Sequence, residues 1–206
     1  MGGTFDPIHI GHLILGEQAY EQLTLEKVLF LPSGNPPHKK ARFGRATDEQ
    51  RVEMVRLSIA DNPHFELSLT EMQDEGYSYS YTYRTLERMN REHPDEEYYF
   101  IIGADSLLTL ENWRKPGRIC QSCKIVVAVR DRTPDEIINQ EIQRLSEKYQ
   151  GTFLRLDTPE IDLSSACIRK RISEGLTIRY YVPDSVRNFI YQNQIYQNKR
   201  DWETGV

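Results

Sequence analysis

A doubly wound α/β domain on a mostly parallel sheet is the fold that three observations in this sequence predict. Short, nearly continuous apolar runs such as KVLFL, YYFII and KIVVAV read as strands covered on both faces. These runs alternate with longer stretches of helical pattern, the rhythm of βαβ units. A glycine-rich run, Gly2-Gly3-Thr4-Phe5-Asp6-Pro7-Ile8-His9-Ile10-Gly11-His12, leads into a helical segment, the arrangement that binds an anion at a helix start.

The helix after that run is expected over Leu13–Leu23. The first strand of the apolar series, Lys27–Leu31, follows, and then a loop carrying Asn35-Pro36-Pro37-His38-Lys39. Helix Asp48–Ala60 places Val52, Val55, Leu57 and Ile59 partly on one face. Strand Phe65–Leu69, helix Tyr81–Glu92 and strand Tyr98–Ile102 continue the alternation. Strand Lys124–Val129, helix Pro134–Tyr149 and strand Gly151–Leu156 complete the sheet. Helices Ser165–Glu174 and Pro183–Gln192 close the domain, with Pro134 and Pro183 expected in first turns. No internal repeat or low-complexity segment occurs, so residues 1–196 read as one domain with residues 197–206 as a flexible tail. An apolar strand is expected directly before the glycine turn, yet the text begins Met1-Gly2-Gly3. That first strand therefore reads as missing, with about six further apolar residues expected upstream.

With 206 residues the chain can bury one sizeable core. A net charge of −5 argues against nucleic-acid binding through a broad basic surface. Positive charge is instead concentrated in His38-Lys39-Lys40-Ala41-Arg42 and Arg169-Lys170-Arg171, which suits a small polyanion better than a duplex. No apolar run approaches the roughly 20 residues of a membrane span. Three cysteines without a secretion signal point to the cytoplasm. Cys120 and Cys123 form a C-x-x-C, but a zinc site needs about four ligands and no second pair lies nearby, so both read as structural thiols.

Gly2, Gly3 and Gly11 let backbone approach a ligand closely, and His9 and His12, three residues apart at a helix start, can donate to phosphoryl oxygens. Near the other end, Ile161-Asp162-Leu163-Ser164-Ser165-Ala166-Cys167-Ile168-Arg169 opens a helix. Ser164 and Ser165 are natural N-caps, and Arg169 lies one turn on, where it reaches an anion at the helix start. Three further segments could carry chemistry. Lys39 offers a point charge on a proline-stiffened loop, Ser80-Tyr81-Thr82 opens a helix, and Phe100–Ser106 runs a strand into a Gly103 turn with Asp105 beyond. Trp113 follows, and an indole stacks on an aromatic ring. Taken singly, these are a proline turn, an N-cap, a loop acid and a core tryptophan.

The first run resembles the H-x-G-H signature of the nucleotidylyltransferase superfamily, and L-S-S-A-C-I-R resembles its second motif, I-S-S-T-x-I-R, with Ala166 where a threonine is usual. Across nearly the whole chain, the order N-P-P-H-K, S-Y-T, F-I-I-G-A-D-S, Trp113 and L-S-S-x-x-I-R resembles bacterial nicotinate-nucleotide adenylyltransferases. The resemblance implies a Rossmann-like nucleotidylyltransferase fold and adenylyl transfer from ATP to nicotinate mononucleotide, giving deamido-NAD and pyrophosphate. It implies catalytic roles for His9, His12, Lys39 and Arg169. Gly3, Thr4, Phe5, Gly103, Asp105, Ser164 and Ser165 would contact ATP and its phosphates. Thr82 and Trp113 would frame nicotinate, its carboxylate held by N–H groups at Thr82 and Arg114, where the family commonly has tyrosine. Mg²⁺ would bridge the ATP phosphates without a dedicated protein cage. ATP and nicotinate mononucleotide are the implied partners, with no nucleic acid or membrane, and a homodimer is compatible. Transfer to nicotinamide mononucleotide or phosphopantetheine, and a non-catalytic nucleotide-binding module, are the alternatives. A cytidylyltransferase would carry an R-T-x-G-I-S-T-type second motif, which is absent.

Overall fold

The computed structural model describes residues 1–34, 44–72, 80–129 and 134–197. Lys39 and the basic cluster of residues 38–42 lie outside these. In chain order the elements are β1 (Gly2–Gly3), α1 (Ile10–Gln22), β2 (Val28–Pro32), α2 (Asp48–Ile59) and β3 (Phe65–Leu67). Then come α3 (Thr82–Glu92), β4 (Tyr99–Gly103), α4 (Ala104–Leu108), a 3₁₀ turn (Leu110–Asn112) and α5 (Pro116–Ser122). β5 (Lys124–Val129), α6 (Asp135–Tyr149), β6 (Phe153–Asp157), α7 (Ser165–Ser173) and α8 (Asp184–Gln192) complete the chain.

Among the described residues the strands form two parallel three-stranded sheets, in the orders β1-β2-β3 and β4-β5-β6. Before the glycine turn, where an apolar strand was expected, only the two-residue stub β1 stands. Gly2 pairs with Leu31 and Gly3 with Pro32, and two residues are too few to carry a ladder across to β4. Where β1 runs out the Phe100 ring of β4 approaches, 3.6 Å from the point a Gly2 Cβ would occupy. The Met1 α-amino group is buried beside this stub and donates to the Leu29 carbonyl at 2.7 Å. Burial, partly opposed by Glu71, pushes its pKa down to about 5.

The β-branched run of β5 shows why the second sheet is buried on both faces. Ile101, Val126 and Leu156 point into one core with Phe30, Met54, Val55 and Ile168. Ile102, Ile125, Val127 and Val129 point into the other, under α4, α5 and α6. In the first core α1 lies close to the sheet because Gly16 has no side chain: a Cβ there would come within 2.9 Å of the Phe65 ring. Helix α2 starts at a capping box, Gln50 N–H donating to Thr47 Oγ1 at 3.2 Å and Thr47 N–H to Gln50 Oε1 at 2.9 Å. No helix among the described residues is long and apolar enough to cross a membrane.

Several expectations shift. Helix α1 begins at Ile10 rather than Leu13, so His12 is a first-turn residue and His9 the N-cap. Pro134 and Pro183 are N-caps rather than first-turn residues, while Pro116 takes the first helical position of α5. The short helices α4 and α5 have no counterpart in the sequence reading, since five and seven residues are too short to display a period. The buried face of α2 is Arg51, Met54, Val55, Ser58 and Ile59; Val52 and Leu57 lie on its margins.

Candidate active site

The glycine turn runs from β1 into α1 through Phe5, whose φ of 49° is in the left-handed region that a bulky residue seldom adopts. The Phe5 ring is buried and meets His12 edge-on at 5.1 Å and Phe30 at 6.0 Å, contacts that offset the backbone strain. His9 and His12 stack at 3.6 Å with 22° between their planes. Gly11 makes room for this pair, since a Cβ there would come within 3.2 Å of His9 Nδ1.

His9 N–H donates to His12 Nδ1 at 3.2 Å. A neutral imidazole that accepts at Nδ1 carries its proton on Nε2. The backbone therefore sets the tautomer, and His12 presents Nε2–H as a hydrogen-bond donor. At the same helix end the Ile10 N–H is committed to the Tyr181 carbonyl at 3.0 Å, so it does not serve an anion.

The two motifs that lie far apart in the chain meet here. Ser165 Oγ donates to the Pro7 carbonyl at 2.8 Å, and Arg169 Nη1 donates to the Asp6 carbonyl at 2.5 Å. Ser164 caps α7, its Oγ accepting from Cys167 N–H at 3.2 Å. The first turn of α7 thus clamps the glycine turn. Ser165 contributes its hydroxyl proton to that clamp. Arg169 commits one of its five N–H donors to it.

Sequence reasoning missed the other supports. Arg51 is 4% exposed, and its guanidinium donates at 2.7 Å to the carbonyls of Thr4 and Ser33 and to Asp48 Oδ1. One planar fork thereby joins the glycine turn to the segment that follows β2. Asp6, 2% exposed, accepts at Oδ1 from Ala46 N–H at 3.1 Å and from the Tyr196 hydroxyl at 2.7 Å. Its Oδ2 faces Arg45 at 3.4 Å and Arg169 at 3.8 Å. The signal for Arg51 was available: it lies one turn before Val55 on the inward stripe of α2.

The residues expected around the acceptor ring lie on elements that pack together. Thr82 is the first residue of α3, and Trp113 with exposed Arg114 leads into α5, which packs on α3. Arg118 of α5 lies 4.8 Å over the Tyr83 ring of α3. Trp113 meets Phe100 edge-on at 6.2 Å, so Phe100 separates the indole from the β1 stub. Gly103 ends β4 with open space where a side chain would point, and exposed Asp105 is in the first turn of α4. Arg84 donates to the Tyr83 hydroxyl at 3.0 Å and lies over the Tyr81 and Tyr83 rings. A shallow cavity of 290 Å³ is lined by Thr70, Tyr83, Arg84, Arg88, Arg91 and Arg118 among others; neither histidine borders it. Cys120 is buried and Cys123 half-buried; neither forms a disulfide.

The donors gathered at the turn suit a polyanion rather than a bare cation. The carboxylate beside them, Asp6, accepts at one oxygen and turns the other to two guanidiniums, and no described group of three His, Cys, Asp or Glu side chains could hold a metal. Parallel strands, a glycine turn entering a helix, and stacked imidazoles clamped by a second helix start define a nucleotidylyltransferase-type protein. The family described as Cytidylyltransferase-like matches residues 1–171. A probable nicotinate-nucleotide adenylyltransferase of Lachnoclostridium phytofermentans is 43% identical over 95% of this chain and 96% of its own length. One of the same name from Thermoanaerobacter sp. strain X514 is 36% identical over 100% and 96%. The Plasmodium falciparum nicotinic acid mononucleotide adenylyltransferase complexed with NaAD superposes with a TM-score of 0.76 at 17% identity, covering 95% of this chain and 94% of that one, a likeness of fold. The chain belongs to the nicotinate-nucleotide adenylyltransferase branch of the cytidylyltransferase-like family.

Proposed function

We propose that this chain transfers the adenylyl group of ATP to nicotinate mononucleotide, forming deamido-NAD and pyrophosphate. The observation that carries the reading is the convergence of the His9–His12 stack and the Arg169 clamp on one glycine turn, together with the 36–43% identity to relatives named for this activity. The acceptor's phosphate is anionic at neutral pH and needs no nucleophile from the protein. One of its oxygens attacks the α-phosphorus of ATP, and the bond to the bridging oxygen breaks on the opposite side. The electron pair of that bond leaves with pyrophosphate. The protein's part is alignment and stabilisation of charge.

His12 Nε2–H, with His9 behind it, donates to the α- and β-phosphates. Arg169 and the Ser165 and Ala166 N–H groups at the start of α7 hold the departing pyrophosphate, with the Ser164 hydroxyl as a further donor and Ser165 holding the turn through Pro7; Lys39 adds a further phosphate contact. Gly3, Thr4, Phe5, Gly103 and Asp105 border the nucleotide. Trp113 stacks on the pyridine ring, and the N–H groups of Thr82 and Arg114 take its carboxylate. Mg²⁺ enters as part of the MgATP substrate, held by phosphate oxygens and water.

Pyrophosphate release with ATP and each of nicotinate mononucleotide, nicotinamide mononucleotide and phosphopantetheine tests this. Turnover with the acid at least about tenfold above the amide is expected from a charge-assisted contact to the carboxylate. Equal rates for acid and amide, preference for phosphopantetheine, or no release at all would overturn it.

A further inference from the structure

The segment after α8 turns back beneath the phosphate loop. Ile195 N–H donates to the Ile190 carbonyl at 3.0 Å, and Tyr196 follows with a φ of 67°. Both side chains are buried. The Tyr196 hydroxyl reaches Asp6 Oδ1 at 2.7 Å, across 190 positions of sequence. Ala46 N–H shares that oxygen, so Oδ1 holds two neutral donors. Oδ2 is buried and accepts no hydrogen bond, although Arg45 and Arg169 stand 3.4 and 3.8 Å away.

A buried carboxylate with an unfilled oxygen turns toward the strongest donor it can reach, and here both candidates are guanidiniums. What holds it back is the pair of bonds on Oδ1. The Arg169 nitrogen nearest to Oδ2 already donates to the Asp6 carbonyl, so a small rotation of the carboxylate would recruit the same guanidinium twice. We propose that Tyr196 is a positioning residue for the triphosphate grip: its hydroxyl holds Asp6 so that Oδ2 keeps Arg45 and Arg169 beside the glycine turn without capturing either. Arg45 thereby becomes a second cation of the grip, paired with Arg169 across one carboxylate oxygen. Burial and the neighbouring Asp6 charge push the Tyr196 pKa up, so the hydroxyl remains a donor throughout the working pH range.

The proposal rests on the reading that this loop binds ATP, and the test separates the two. Tyr196→Phe removes one oxygen and keeps the ring. In this variant KM for MgATP should rise about tenfold while KM for nicotinate mononucleotide stays within about twofold. Calorimetric affinity for α,β-methylene-ATP should fall in parallel. Asp6→Asn keeps an acceptor for Tyr196 and Ala46 but removes the charge; it should weaken the analogue similarly, and adding Tyr196→Phe to it should cost little more. Should Tyr196→Phe fail to fold, Asp6→Asn alone decides, because unaltered analogue affinity there contradicts the scheme. Parallel rises in both KM values, an unchanged affinity in folded Tyr196→Phe, or additive losses in the double variant would overturn the proposal. A wild-type protein that binds the analogue but makes no deamido-NAD would instead overturn the functional reading.

Discussion

The two three-stranded sheets of this molecule are held in different ways. In β4-β5-β6 the central strand is paired along its length on both sides, and its aliphatic side chains fill cores on both faces. In β1-β2-β3 the strand that leads to the histidines pairs at two positions only. Beyond it, the turn is fixed by polar side chains that arrive from elsewhere: Arg51 on Thr4, Arg169 and Ser165 on Asp6 and Pro7, Tyr196 on Asp6. Apolar packing is non-directional. Hydrogen bonds to individual carbonyls are directional, and they fix the backbone of the glycine turn. Substitutions in the first sheet's surroundings should therefore appear in kinetics, and those in the second sheet in stability.

His12→Ala offers the largest effect. Loss of a preorganised donor should cut kcat about a thousandfold, with little change in melting temperature. Steady-state turnover beside a thermal melt checks it; near-normal turnover would remove His12 from the chemistry. Arg51→Met should be felt in both quantities. It strips the Thr4 and Ser33 carbonyls of a donor, costing about 3 kcal/mol of stability, and the displaced turn should lower kcat/KM about a hundredfold. Arg51→Lys should recover little, because an ammonium cannot span both carbonyls. Denaturant titration with kinetics reads this out. A loss of stability with intact kcat/KM would break the distinction between the sheets.

Ile125→Val, in the middle of the second sheet, should cost about 1 kcal/mol and leave kcat/KM unchanged. The smallest effect concerns the thiols. Burial pushes Cys120 up to about 11 and Cys123 up to about 12, so both are neutral at pH 8, whereas Cys167 is exposed on α7. Iodoacetamide should label Cys167 first, as mass spectrometry of the folded protein would show; equal labelling of all three would contradict this core. Because the folded thiols ionise later than unfolded ones near 9.0, their contribution is complete below that pH. It is lost as the pH rises through 11 to 12.

Much of this was legible in the sequence because it was local. The runs that became β2 and β4, β5 and β6 were visible as apolar strings, and only their ends moved by a residue or two. The His9–His12 pair and the Ser164–Arg169 segment were each readable within a dozen residues. What was not legible was how they are joined. Asp6 and Tyr196 are 190 positions apart, and no periodicity announces their bond. Arg51 interrupts the inward stripe of α2 with a charge, and a hydrophobic pattern does not mark such a residue as buried. Two glycines carry no apolar signal, so the β1 stub itself was not visible as a strand.

In the proposed reaction the acceptor's own phosphate attacks ATP in line while the protein only grips and aligns. ATP made chiral at the α-phosphorus, given with nicotinate mononucleotide, tests it most directly through the configuration of the deamido-NAD formed. A single in-line displacement predicts inversion at phosphorus. Retention would mean two displacements through an adenylylated protein, and would contradict the account.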